Sequence, residues 1–483
     1  MAFRVAEGES MRSNNDKPPA SEVASQDSCQ AASEKDVEFL GDQTNVASKA
    51  DIPPDGGYGW VCTACLFLIN ANTWGVNSSW GVFLNHYLSN SSFAGATHLE
   101  YALIGGLSIS QALLISPAVA AVNDRFGTRV TLLIGTMLVS VAMLTSSFAD
   151  QVWILFLTQG ACFGYGMGFL YITASAILPQ WFSTKRSLAL GIASSGAGFG
   201  GLAYNLGAGA GIETLGWKWT YRILAIATLV SNVGSSLLLK DRNKTVQPNK
   251  RAFDMREFGH ISVILVIWWG FVTELGYIVL LYSLPNYATS IGLSAQQGSV
   301  VGAMLNLGLA VGRPAIGYLS DRLGRINIAT LMTALCGVFC LAIWVPAKTY
   351  GVLIVFALAA GTVTGTFWSC VVPVTAEVVG LQRLPAAFGM ICLPLVLPTT
   401  FAEAIALQLV SFRGYLSSQV FVGCMFLVGA AGMLALRSWK ICDLESKELR
   451  EHERHAQYDT GAHSQKSDHM WLTPRRLLMR TNV

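Results

Sequence analysis

Gly312-Arg313-Pro314-Ala315-Ile316-Gly317-Tyr318-Leu319-Ser320-Asp321-Arg322-Leu323-Gly324-Arg325 starts as an apolar, small-residue helix carrying one arginine and ends as a compact charged hairpin. Apolar runs long enough to span a bilayer lie on both sides of it. A lone arginine inside such a run is costly to insert, so it is expected to face a protein interior or a water-filled cavity. The charged end reads as a short cytoplasmic loop, where Lys and Arg collect beside membrane-spanning helices. The pattern returns upstream as Asn123-Asp124-Arg125-Phe126-Gly127-Thr128-Arg129. Each copy follows the second apolar run of its half, so the repeat implies a duplicated membrane protein.

The composition agrees. Of 483 residues, 52% are hydrophobic and 13% charged, and 47 are glycine. Soluble domains carry about 25% charged residues, so this chain reads as a polytopic membrane protein. A net charge of +3 gives no support to nucleic-acid binding. Most cysteines lie inside apolar runs, and the Cys62/Cys65 pair has no second pair beside it. They read as small apolar packing groups, with neither a metal site nor a disulfide framework implied.

Residues 1–52 are polar and nearly free of aromatics, which predicts a disordered cytoplasmic tail. The tail lacks the basic and apolar regions of a cleavable signal. Apolar runs follow at 58–84, 101–122, 130–148, 153–178, 188–210, 219–239, 261–288, 297–319, 327–346, 350–373, 385–410 and 418–437. Each is near or above the roughly 20 residues a helix needs to cross the hydrocarbon core. The expected fold is an all-α membrane protein with 12 transmembrane helices. One six-helix half covers 53–239 and the other 261–437, joined by a cytoplasmic linker at 240–260, with a cytoplasmic C-tail at 438–483.

The loops orient it. One side holds Arg125, Arg129, Lys185, Arg186, the basic residues between Lys240 and Arg256, Arg322, Arg325 and Arg383; the other holds little beyond Lys218, Arg222, Lys348 and Arg413. The first side is therefore cytoplasmic, as are both termini of a multi-pass protein of the cell membrane. Asn90-Ser91-Ser92 is a glycosylation sequon in the first outward loop.

The sequence carries no GxxxxGK[ST] loop, HExxH helix or GxSxG elbow, so direct ATP drive, enzyme chemistry and cofactors have nothing to rest on. What remains suits moving a small organic solute through a bilayer-embedded bundle. Arg313 can grip an anionic solute with a forked set of donors; the alternative is a permanent pair with a buried acid. Glu274 and Glu403 either neutralise it or serve as protonatable coupling sites. Asn72, Trp74, Asn77, Ser78, Tyr277, Tyr282, Asn306, Phe367 and Trp368 are candidate cavity groups. Glycines crowd 160–168 and 191–211, where helices are expected to approach closely. Asp124 and Asp321 end helices beside arginines, and such hairpins can hold two halves closed on the cytoplasmic side.

With these features in view, the chain resembles the major facilitator superfamily, and within it the monocarboxylate porter family. The family's motif leading into the first span stands as Asp55-Gly56-Gly57-Tyr58-Gly59-Trp60. A second appears as Trp181-Phe182-Ser183-Thr184-Lys185-Arg186, and Gly312-Arg313-Pro314 is a third. Thr73-Trp74-Gly75-Val76-Asn77-Ser78 is most similar to the fungal branch. The resemblance implies a secondary or facilitative transporter working by alternating access on an organic acid or secondary metabolite. Animal relatives carry a functional lysine where this chain has Ser78, and an aspartate where it has Leu309. Those departures favour export over proton-coupled monocarboxylate import. A riboflavin-type uptake carrier and a non-transporting nutrient sensor are the other readings.

Overall fold

A computed structural model describes residues 53–89, 93, 97–243 and 259–460. The expected N-tail, most of the linker, Asn90 and residues 461–483 lie outside these, as do the side chains of Tyr282 and Glu403. The described chain is helical, in rods that follow the expected spans: α1 (58–89), α2 (98–126), α3 (Thr128–Ser146), α4 (Val152–Gln180), α5 (Arg186–Leu215), α6 (Trp217–Leu238), α7 (Ile261–Ser290), α8 (Ala295–Leu323), α9 (Arg325–Trp344), α10 (Tyr350–Val379), α11 (384–413) and α12 (Tyr415–Thr460). Nine described helices are long and apolar enough to cross a membrane unbroken, and ten if the bent α2 counts as one. The other two rods are α1, interrupted at Ser79, and glycine-rich α5, which bears Arg186 and Glu213 near its ends.

Local chemistry sets the boundaries. Thr97 with Glu100, and Ser294 with Gln297, form reciprocal caps that start α2 and α8. Gly127 and Gly324 turn the chain from α2 to α3 and from α8 to α9 at φ 81° and 95°. A side chain rarely adopts that backbone conformation, so the same residue marks the same corner in both halves. α2 bends by 45° where Pro117 opens its second segment. α10 is interrupted at Gly365, and α1 widens by one turn at Ala71–Gly75, the turn that carries Trp74.

The halves meet along two seams, α2 against α11 and α5 against α8 and α10. Glycine makes the second possible. A Cβ on Gly191 would lie 2.4 Å from the Arg313 carbonyl oxygen, and one on Gly317 2.3 Å from that of Ser187. Backbones touch there directly. Gly207 and Gly209, farther along α5, face open space instead. Large apolar side chains such as Leu206, Ile226, Val230 and Val355 are more than half exposed and cover the outer faces. Such a girdle is what a bundle surrounded by hydrocarbon presents.

Candidate functional site

The hairpin after α8 forms a lock between the halves. The first amides of a helix have no acceptor within it. For α5, Asp321 supplies one from the other half: its carboxylate accepts from the Ser187 N–H at 2.9 Å and the Leu188 N–H at 2.8 Å. The positive end of the α5 dipole favours an anion at that point. Arg325 donates to the Ser183 carbonyl at 2.6 Å and lies 3.5 Å from Asp321 and 3.6 Å from Glu377. Glu377 ends α10, and its carbonyl accepts from the Lys440 ammonium on α12 at 3.0 Å.

The turn that feeds α5 is held from below. The Asp55 carboxylate accepts from the amides of Ser183 at 2.6 Å and Thr184 at 2.8 Å, while its own N–H donates to the Trp181 carbonyl at 3.0 Å. Burial pushes the Asp55 carboxyl up, but the amides of Ser183, Thr184 and Lys185 together hold it below the usual carboxylate range. Asp55 and Gly57 reach this position at φ 52° and 60°. Gly56 lies between them, and the Trp60 ring packs on Phe182 at 5.1 Å. Arg186 is buried, its Nε donating to the Phe182 carbonyl at 3.1 Å, whereas Lys185 is exposed. The upstream hairpin differs. Asp124, Arg125 and Arg129 are exposed, with Arg125 over the Phe126 ring, and Arg322 lies over Tyr318.

Deeper along the same seam lies a second cluster. Arg313 is 7% exposed, and its Nη1 donates to the Ser194 carbonyl of α5 at 2.7 Å. Its buried Nε has no hydrogen-bond partner among the described residues. The glycine at the break in α10 makes room for the guanidinium, because a Cβ on Gly365 would fall 2.8 Å from that Nε. Glu274 is 2% exposed and interacts with Arg313 and the Trp368 indole, without forming an ion pair with Arg313 among the described residues. Tyr277 lies near both side chains. Ser194 and Ser369 place their hydroxyls 3.4 Å apart across the seam. Trp74 packs on Trp368 with ring centroids 5.5 Å apart, and Phe367 touches Trp368 and Trp269, each at 5.0 Å.

The structure therefore brings Arg313, Glu274, Trp74, Tyr277, Phe367 and Trp368 together. Other candidates bond neighbouring helices or their own: Asn77 accepts from Ser108 at 2.7 Å, Ser78 donates to the Gly75 carbonyl at 2.7 Å, and Asn306 to that of Gly302 at 3.1 Å. Asn72 bonds Ser231 and Tyr204. Sequence reasoning missed Ser194, Ser369, Tyr171, Phe388 and Glu377. The serines and rings resemble ordinary helix-packing residues in a sequence, but Glu377 carried a signal, as an acid near the end of an apolar run. No group of metal-ligating residues occurs among the described residues.

Known proteins share this architecture. The sequence profile of the Major Facilitator Superfamily matches residues 62–392 and 266–466. A Saccharomyces cerevisiae protein named "Probable transporter MCH2" is 34% identical over 379 residues, 77% of this chain and 80% of its own length. The "Fujikurins efflux protein" of Gibberella fujikuroi is 27% identical over 412 residues, 82% of this chain and 87% of its own. Among solved structures, the proton:xylose symporter XylE bound to 6-bromo-6-deoxy-D-glucose superposes with a TM-score of 0.61, covering 78% of this chain and 95% of that one. At 15% identity this likeness speaks for the fold alone. These matches make the chain a multi-pass membrane transporter rather than an enzyme, and it belongs to the Major Facilitator Superfamily.

Proposed function

We propose that the protein moves a small organic acid across the cell membrane by alternating access, with both termini cytoplasmic and Arg313 as the leading solute contact. The observation that carries this reading is the unpartnered Nε of a buried guanidinium on the seam between the halves. A buried donor without a partner costs free energy. An arriving carboxylate satisfies it and brings its own compensating charge. The cargo thereby competes for contacts that hold the halves together, as an alternating-access carrier requires.

The Asp321 and Arg325 contacts then act as the cytoplasmic gate, closed in this structure. Opening to the cytoplasm breaks the bonds to Ser187, Leu188 and Ser183. Outward transport of a secondary metabolite is the favoured direction, supported by Ser78 and Leu309 at two positions and by the named efflux role of the Gibberella relative. The monocarboxylate porter branch rests on the motifs at Asp55–Trp60, Trp181–Arg186 and Gly312–Pro314. Proton coupling is the second reading, favoured by one observation: Glu274 shares the buried pocket with Arg313.

Untargeted metabolite profiling of cells and medium tests the proposal, comparing a strain with the gene, one without it and one carrying Arg313→Ala. An acid that leaves cells only with the intact gene supports export. Loss of uptake of lactate or riboflavin alone overturns it. Proton coupling predicts a solute-driven pH change in vesicles that Glu274→Gln removes.

A further inference from the structure

Beside the close α5–α8 backbone contact at Arg313, the halves also meet through aromatic rings. Trp74 of α1 and Tyr171 of α4 come from one half, and Trp368 of α10 and Phe388 of α11 from the other. Trp368 lies with its ring centroid 5.5 Å from that of Trp74 and 5.8 Å from that of Tyr171, and Tyr171 is 6.2 Å from Phe388. Each tryptophan is braced from within its own half. Tyr171 meets Trp74 edge-on at 87°, and Phe367 meets Trp368 at 76°. The two indoles, each braced within its own half, thus meet across the seam with their planes tilted by 42°.

A solute held by both halves must replace the contacts they make with each other at that level. Here those contacts include ring pairs, one serine pair and the bond from Arg313 to Ser194, beside the backbone approach of Gly191 to Arg313. Resting on the transport reading above, we propose that the cargo is a planar, ring-bearing carboxylic acid that inserts between Trp74 and Trp368, with its carboxylate toward the Arg313 Nε. A flat π-system about as thick as one aromatic ring restores a face to both indoles. A short aliphatic acid satisfies Arg313 but leaves both indoles without a partner, and a saturated ring offers bulk without a face.

The test is binding of tritiated 2-naphthoate to the purified full-length protein, competed by unlabelled 2-naphthoate, decahydro-2-naphthoate, 2-naphthol and lactate. The expected result is that 2-naphthoate competes at least tenfold better than its saturated analogue and better than lactate or 2-naphthol. Trp368→Leu removes that preference, while Trp368→Phe retains part of it. Saturated and aromatic acids competing equally, both lost in Arg313→Ala, overturn the ring requirement and leave the acid-transport reading standing. Absence of specific binding by every acid overturns both. The wild-type comparison decides the point even if Trp368→Leu does not fold.

Discussion

Asp321→Asn isolates the gate. The substitution keeps the side chain's size and one acceptor oxygen, but it removes the charge, one of the two amide bonds to α5 and the attraction to Arg325. Hydrogen bonds to charged groups contribute about 1.5–3 kcal/mol each and neutral ones about 0.5–1.5. Losing one and neutralising the other weakens the closed gate by about 2–4 kcal/mol, a shift of about 30- to 900-fold toward opening. The amides of Ser187 and Leu188 report this directly. They lie in the first turn of α5, so Asp321 is their acceptor rather than the helix itself. Hydrogen exchange of the peptide covering 183–190 should accelerate at these two positions by that factor, while the Ala189 amide, bonded to the Lys185 carbonyl, keeps more of its protection. Asp124→Asn is the control, because Asp124 is exposed, where a charge pair contributes at most about 1 kcal/mol, and the acceptor of both amides is Asp321. Unchanged exchange at Ser187 and Leu188 in Asp321→Asn refutes the gate assignment.

Other perturbations separate contact from sequence motif. Gly317→Ala places a Cβ 2.3 Å from the Ser187 carbonyl oxygen and should destabilise the closed seam by about 1–3 kcal/mol, whereas Gly207→Ala, facing open space, should leave transport unchanged. Labelling accessibility along the ends of α5 and α8 that meet at Ser187 and Gly317 checks this. Asp55 titrates below 3.8 when folded, so its hold on the turn at 183–185 is fully present above about pH 4 and lost as pH falls further. Exchange at Ser183 and Thr184, corrected for intrinsic rate, should be flat from pH 8 to 5 and rise below 4; Asp55→Asn should raise it throughout. Lys440→Ala frees the carbonyl end of α10 and should increase exchange at the α12 residues beside it without altering exchange at Ser187.

The architecture was legible because a bilayer allows few solutions. Apolar runs of spanning length must be helices, and a repeated hairpin announces duplication. Arg313 stood out for the same reason, since a charge inside an apolar run must have a purpose. What could not be read was the pairing across the seam. The two hairpins look alike in sequence, yet Asp321 caps a helix of the opposite half while Asp124 stays exposed. Nothing local to either motif distinguishes them, because the difference lies in which helix end approaches. Trp74 and Trp368 were each legible as cavity candidates, but their contact depends on the widened turn in α1 and the break in α10. Asn77, Ser78 and Asn306 illustrate the converse: polar groups in spanning helices often satisfy neighbouring helices or their own backbone.

The central claim is that a guanidinium on the seam meets an acidic cargo. Its most direct measurement is exchange, in proteoliposomes holding wild-type protein, Arg313→Lys or Arg313→Ala, of whichever acid metabolite profiling identifies. Removing one partner of a buried charged contact costs about 2–5 kcal/mol, so Arg313→Ala should lower solute affinity by about 30-fold to several thousandfold. Arg313→Lys should fall between, and both proteins should insert normally. Wild-type exchange by a correctly inserted Arg313→Ala protein contradicts the account.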